Sequence, residues 1–223
     1  MVRDGDVTID TRSLVDKVYD YLLGQIIDGE IKYGDNLKIQ KLAEKLCVST
    51  MPVREALKRL QYERIVDIKP RSCCSLRIPS KSEVIEIYEL REVLELHAIT
   101  KFRQNFDKSR LERLHEITES MRGLENERDA HIRGRKSIEL DRQFHAEICK
   151  LAENNYINNL YRQLSLHLNM TFIHEKTYSQ LQEVFFESHD TILNCLENNL
   201  TEVAQCVKKH FDNVRKYLLT SSR

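Results

Sequence analysis

Proline and glycine are scarce in this chain of 223 residues, with three and six respectively, and almost all fall before residue 80. Past Pro79 there is no proline, and only Gly123 and Gly134 remain, so little interrupts long helices over that stretch. No apolar run approaches the ~18 residues that a membrane-spanning helix needs. The first residues, Met1 to Asp6, are acidic and lack the apolar segment of a secretory leader. Both absences lead to the expectation of a cytoplasmic protein with no membrane partner. Cys-x-x-Cys spacing is also absent among the six cysteines, at 47, 73, 74, 149, 195 and 206, which read as reduced thiols. A redox role for the adjacent Cys73 and Cys74 is the alternative. There is no internal repeat and no low-complexity tract.

The chain holds 41% hydrophobic and 31% charged residues, enough apolar material for two modest cores. Lys plus Arg and Asp plus Glu both total 35, for a net charge of zero. A neutral average argues against a nucleic-acid binder, yet it hides an asymmetry. Residues 38–78 carry ten Lys/Arg against four acids, a net +6, whereas residues 1–37 carry −4. A basic patch on a neutral protein is a footprint for an anionic partner, or else a solvated surface.

Leu14, Val15, Val18, Leu22, Ile26 and Ile27 recur at helical spacing over residues 12–28. A short helix is predicted at 39–46. Another is predicted at 49–63, opened by Ser49 as N-cap and Pro52 in its first turn. Residues 65–68 and 75–78 read as strands around a basic tip, Lys69 to Cys74. Three helices, the last two joined by a tight turn, followed by a hairpin make a winged helix-turn-helix over residues 12–79. In such a domain the second helix of the pair enters the major groove and the wing meets phosphate or the minor groove. Residues 80–219 show six apolar-striped helices, at 82–104, 109–127, 135–152, 156–175, 179–198 and 200–219, and no strand pattern. The fold class is therefore mainly α: a winged helix-turn-helix followed by an all-helical antiparallel bundle.

Within the bundle, Asp141 and His145 stand at i and i+4, on one helix face. His189 and His210 fall on the two successive helices 179–198 and 200–219; if these are antiparallel, the two imidazoles can face each other. One carboxylate and three imidazoles suit a divalent ion, zinc first and nickel, manganese or iron as alternatives. The plainer alternative is an Asp141–His145 hydrogen bond with no metal. His97, His115, His131, His167 and His174 read as structural or exposed.

Residues 42–60, LAEKLCVSTMPVREALKRL, resemble the GntR-family pattern L-A-E-x-L-G-V-S-R-x-P-V-R-E-A-L-x-x-L, and Gly29, Ile31, Gly34 and Leu37 resemble the turn that precedes it. The second domain resembles the FadR-type C-terminal domain of that family, so the resemblance covers roughly residues 12–219. It implies a homodimeric regulator of double-stranded operator DNA, a repressor more readily than an activator. Ser49, Thr50, Met51 and Arg54 would face DNA, with Lys41 on phosphate and Arg71 and Ser72 in the wing. Met51 reads equally well as packing, and Lys58 and Arg59 as a solvated face.

The resemblance also implies a metal site built from Asp141, His145, His189 and His210, and a small carboxylate metabolite as effector. Asn155, in the Asn154-Asn155 pair, and Arg91 would border that effector. For Arg91 the alternative is an i,i+4 ion pair with Glu95. The sequence departs from the pattern at Thr50, where the family carries Arg, and at Cys47 and Arg64, where it carries Gly. The wing glycine falls near Ser72 or Cys73. Two further readings stay open: a metal-responsive regulator, and a metal-dependent hydrolytic enzyme. An architectural DNA binder without sequence preference is a third, and it leaves the polar cluster in the bundle unexplained.

Overall fold

The computed structural model describes residues 12–27, 29–32, 35–69, 73–77, 79–173 and 178–220. The chain divides into two compact units, Met1–Arg77 and Ile78–Arg223.

In the first unit, α1 (Leu14–Ile27) opens on a reciprocal cap: Asp16 N–H donates to Ser13 Oγ, and the Asp16 carboxylate accepts from Ser13 N–H. Val18, Leu22 and Ile26 form its buried stripe. α2 (Ile39–Lys45) leads through a tight turn into α3 (Thr50–Tyr62). Val53, Ala56, Leu57 and Leu60 of α3, at i, i+3, i+4 and i+7, are all fully buried and pack toward α1 and α2. Both helix ends close in the same way. Val48 N–H reaches back to Ala43 O and Ile65 N–H to Leu60 O, bonds that require a left-handed residue between helix and exit. Those residues are Cys47 (φ 52°) and Arg64 (φ 57°), the two positions where the resembled pattern carries glycine.

β1 (Val66–Lys69) pairs antiparallel with β2 (Cys73–Leu76), Val66 opposite Leu76 and Lys69 opposite Cys73. β2 thus starts two residues before the predicted 75. Cys74 and Leu76 alternate into the core, and Cys74 O accepts a 2.7 Å hydrogen bond from Leu37 N–H, which ties the hairpin to the segment before α2. Arg71 and Ser72 lie outside the described residues.

The second unit contains α4 (Lys81–Gln104), α5 (Glu112–Gly123), α6 (Ala130–Lys150), α7 (Asn155–Ile173), α8 (Tyr178–Asn198) and α9 (Val203–Thr220). Short 3-10 turns at Lys108–Leu111 and Leu124–Asn126 flank α5, which divides the single predicted helix at 109–127. Ser80 and Glu83 form a full capping box at the start of α4. α6 begins five residues before the predicted 135, because the Asp129 carboxylate accepts Ile132 N–H and caps it; Gly134 lies inside the helix without breaking it. α6 packs against α4, α5, α7 and α8, while α9 packs against α4 and α8. Phe144 and Ile148 of α6, Ile192 and Leu196 of α8, Val207 and Phe211 of α9 and Phe102 of α4 fill the core.

Left-handed backbone costs a side chain about 1–2 kcal/mol, part of which the extra freedom of unfolded glycine cancels. Cys47→Gly and Arg64→Gly are therefore each expected to stabilise the N-terminal unit by about 0.5–1 kcal/mol. Calorimetry of the full chain checks this as an upward shift of that unit's melting transition, and an unchanged or lower transition contradicts it.

Candidate functional site

Two places concentrate polar chemistry, one in each unit. In the first unit the outer face of α3 carries Thr50, Met51, Arg54 and Lys58, all exposed, opposite the buried stripe. Met51 is 63% exposed, so packing within this unit does not account for it. Ser49 holds the N-cap position in extended conformation without a side-chain capping bond, and Lys41 is exposed on α2. The neighbouring cations differ in their ties. Arg59 stacks 3.8 Å from the Tyr19 ring centroid and pairs with Asp16 and Glu63, which holds it against α1. Lys58 pairs with Glu55 at 2.8 Å. Arg54 has neither kind of tie among the described residues.

In the second unit α6, α8 and α9 bring Asp141, His145, His189 and His210 together. The three imidazoles are at most 2% exposed, and the Asp141 side chain is 19% exposed. His145 Nε2 lies 3.2 Å from His189 Nε2, and Asp141 Oδ1 lies 3.2 Å from His189 Nε2 and 3.6 Å from His145 Nε2. One donor atom from each residue falls within 4.8 Å of the others. Ligand atoms bound at about 2.0–2.2 Å to one ion stand roughly 3.0–3.5 Å apart along an edge of its coordination shell. The closest spacings here match that edge, so the four residues fit a single divalent ion of nitrogen and oxygen preference.

Around them lies a layer that sequence reasoning did not assign. Glu95 of α4, fully buried, accepts a 2.7 Å hydrogen bond from His145 Nδ1–H. That bond keeps a proton on Nδ1, so the nitrogen that can give up its proton to a metal is Nε2, which faces Asp141 and His189. Ser188 Oγ lies 2.8 Å from His210 Nδ1. Arg91, 2% exposed, donates to the Tyr161 hydroxyl at 3.1 Å; its Nε is 3.8 Å from Glu95 Oε1 and its Nη2 4.0 Å from Asp141 Oδ2. Its guanidinium also faces the rings of Tyr88, Tyr161 and Phe211. The i,i+4 arrangement with Glu95 is thus present, and Arg91 stands beside a cluster residue as well. Asn155 is not brought to the cluster. It is exposed at the first position of α7, where Asn154 Oδ1 caps the helix by accepting Tyr156 N–H and Ile157 N–H. His115 is exposed and pairs with Glu197; His174 and the side chains of His131 and His167 lie outside the described residues.

The electrostatics follow from burial and neighbours. Burial alone would raise Asp141, but His145 and His189 outweigh it and hold its carboxyl well below the usual range. Burial would lower His145, yet the Glu95 and Asp141 carboxylates together outweigh it and raise it. His189 is lowered by burial, and His210 well below an ordinary histidine by burial and the other two imidazoles. A cavity of about 440 Å³ opens beside the cluster between α8 and α9, lined by Ser188, Thr191, Cys206, Lys209 and His210 among others; Arg91 is not part of its lining.

Comparison with known proteins places both units. Residues 14–75 match the family model for bacterial regulatory proteins of the gntR family, and residues 86–213, more than half of the chain, match the FCD domain. The chain belongs to the GntR family. Relatives of this GntR-family protein include the HTH-type transcriptional regulator YdhC of Bacillus subtilis, 25% identical over 90% of this chain and 88% of YdhC. The gluconate operon transcriptional repressor of Bacillus licheniformis is 25% identical over 86% of this chain and 79% of its own length. A GntR regulator from Rhodococcus sp. RHA1 has the same fold, with a TM-score of 0.83 at 23% identity over 95% of this chain and 100% of that one. McbR/YncC of Escherichia coli superposes with a TM-score of 0.74 at 24% identity, over 94% and 98%. This GntR-family chain is a DNA-binding transcriptional regulator and not an enzyme, which sets aside the hydrolytic reading. Among the described residues, no helix is long and apolar enough to cross a membrane.

The differing ties on α3 give a test. Arg54→Ala should weaken binding to a duplex from upstream of the regulator's own gene by about tenfold or more, the effect of about 1–3 kcal/mol for losing a base-reading arginine. Lys58→Ala should change it by no more than about twofold. Fluorescence anisotropy at fixed salt measures both, and equal effects would show that α3 acts as a diffuse basic surface.

Proposed function

We propose that this regulator is a homodimeric repressor whose operator binding is set by a small carboxylate metabolite, held next to a divalent metal ion by Asp141, His145, His189 and His210. The observation that carries this reading is the convergence of four donors, three of them buried and all within 4.8 Å of one another, with Glu95 orienting His145 from behind. The ion would polarise a bound carboxylate, and the protein fixes where that carboxylate sits.

Charge supports the class of effector. With His145 protonated, Arg91 and His145 balance Asp141 and Glu95. Replacing that proton by a divalent ion leaves the cluster with a net charge of about +1, which one carboxylate neutralises. Lys209 and the cavity beside His210 give such an anion a cationic approach, and Arg91 is a buried cation within 4.0 Å of Asp141. Two half-sites on an operator call for two copies of the winged unit. Exposed Leu90 and Val93 on α4, with Tyr156 and Leu160 on the adjacent α7, offer a face for the second copy. The effector changes operator affinity only by its difference in affinity for the two DNA-binding states.

Elemental analysis of the purified protein should find about one metal per chain, and His145→Ala should lose most of it. Glu95→Gln should keep the fold but weaken metal binding by roughly 10–100-fold, since the orienting carboxylate is gone. A His145→Ala protein with full metal content would overturn the ligand set. Operator binding measured with metal removed, with and without a panel of organic acids, separates the metabolite signal from the metal itself: an acid that acts equally on stripped protein contradicts the proposal.

A further inference from the structure

A second reactive group lies on the α8–α9 hairpin, outside the metal cluster. Cys195 sits in the last full turn of α8 and Cys206 in the first turn of α9, and their Sγ atoms are 2.7 Å apart. Ordinary van der Waals contact between heavy atoms is about 3.5–4.0 Å, and a disulfide bond about 2.05 Å. The two sulfurs therefore stand between contact and bond, and closing the remaining gap needs only a small shift.

The environments of the two thiols differ in a useful way. Cys195 is 7% exposed, whereas Cys206 is half-buried and lines the cavity of about 440 Å³ that opens between the helices. A small oxidant can thus reach Cys206 while Cys195 waits behind it. Burial and the neighbouring Cys206 push the Cys195 thiol up to about 12, so it remains protonated until it reacts.

We propose that Cys195 and Cys206 are a peroxide-sensitive thiol pair that closes to a reversible disulfide across the α8–α9 hairpin. The Cys206 sulfur attacks one oxygen of hydrogen peroxide and breaks the O–O bond, giving Cys206 sulfenic acid and one water. The Cys195 sulfur then attacks the Cys206 sulfur and displaces its hydroxyl, which leaves as a second water with the Cys195 proton. Two thiols and one peroxide become one disulfide and two waters: each sulfur loses one electron, and the peroxide oxygens gain two. A dithiol reverses the step by exchange. In a reducing compartment such a bond is transient, which is the behaviour of a sensor and not of a permanent staple. The bond would join the two helices that carry His189 and His210, the latter one helical turn beyond Cys206.

The test uses the reduced full-length protein, treated with hydrogen peroxide and digested without reductant for mass spectrometry. A linked peptide containing Cys195 and Cys206, lighter by two hydrogen atoms, is expected. It should vanish with dithiothreitol and be absent from Cys195→Ser and Cys206→Ser. In Cys195→Ser, Cys206 should instead accumulate as sulfenic acid, trapped by dimedone. Exposed Cys47 serves as an internal control that takes up oxygen or dimedone without linking to Cys195. Wild-type protein that gains oxygen on Cys206 with no linked peptide, or that links Cys206 to another cysteine, overturns the proposal.

Discussion

The hydrogen bond from His145 to Glu95 in the middle of a helical core is the contact on which the rest of the second unit depends. Glu95, a guanidinium and three imidazoles are buried there among Phe144, Phe211, Tyr88 and Tyr161, with Asp141 partly buried beside them. Isolated charges in such surroundings are costly, and they persist only when each finds a counter-charge or a hydrogen-bond partner. Glu95 answers His145, Arg91 answers Glu95 and Asp141, and Asp141 answers His145 and His189. An apolar core of the same volume would be easier to stabilise. The retained charges therefore concentrate chemistry at one point, where α4, α6, α8 and α9 contribute side chains.

The first unit resolves a different conflict. Its third helix must bury one face to exist and expose the other to meet an anionic partner. Val53, Ala56, Leu57 and Leu60 meet the first demand completely, and Thr50, Met51 and Arg54 are displayed as a consequence of helical geometry. Arg59 shows how the surface is divided: its stacking on Tyr19 and its ion pairs commit it to the fold, while Arg54 carries no such commitment among the described residues. The strained turns at Cys47 and Arg64 set where α3 begins and ends, so its exposed residues occupy a defined register.

Much of this arrangement was legible in the sequence wherever one periodicity or one hairpin related the residues. Asp141 and His145 share a helix face, and His189 and His210 face each other because α8 and α9 are joined by a short turn. The buried stripe of α3 is plain from its spacing, and the glycine positions of the resembled pattern coincide with the left-handed residues Cys47 and Arg64. Contacts between distant segments were not legible in the same way. Glu95 lies 50 residues before His145, and only the packing of α4 on α6 brings them together. Asn155 was assigned by likeness of position, whereas the turn before α7 uses Asn154 as its cap and turns Asn155 to solvent. The early start of α6 follows from a capping carboxylate at Asp129 and that of β2 from the pairing of Cys73 with Lys69, neither of which leaves a periodic trace. The closeness of Cys195 and Cys206 depends on the pitch at which two helices meet, which no pattern in either helix states.

X-ray absorption at the edge of whatever metal the purified protein carries tests the central claim most directly. The account predicts a first shell of nitrogen and oxygen at about 2.0–2.2 Å, with the outer-shell scattering of three imidazoles. A shell of sulfur ligands near about 2.3 Å, or a protein that holds no metal after exposure to divalent ions and dialysis, contradicts it.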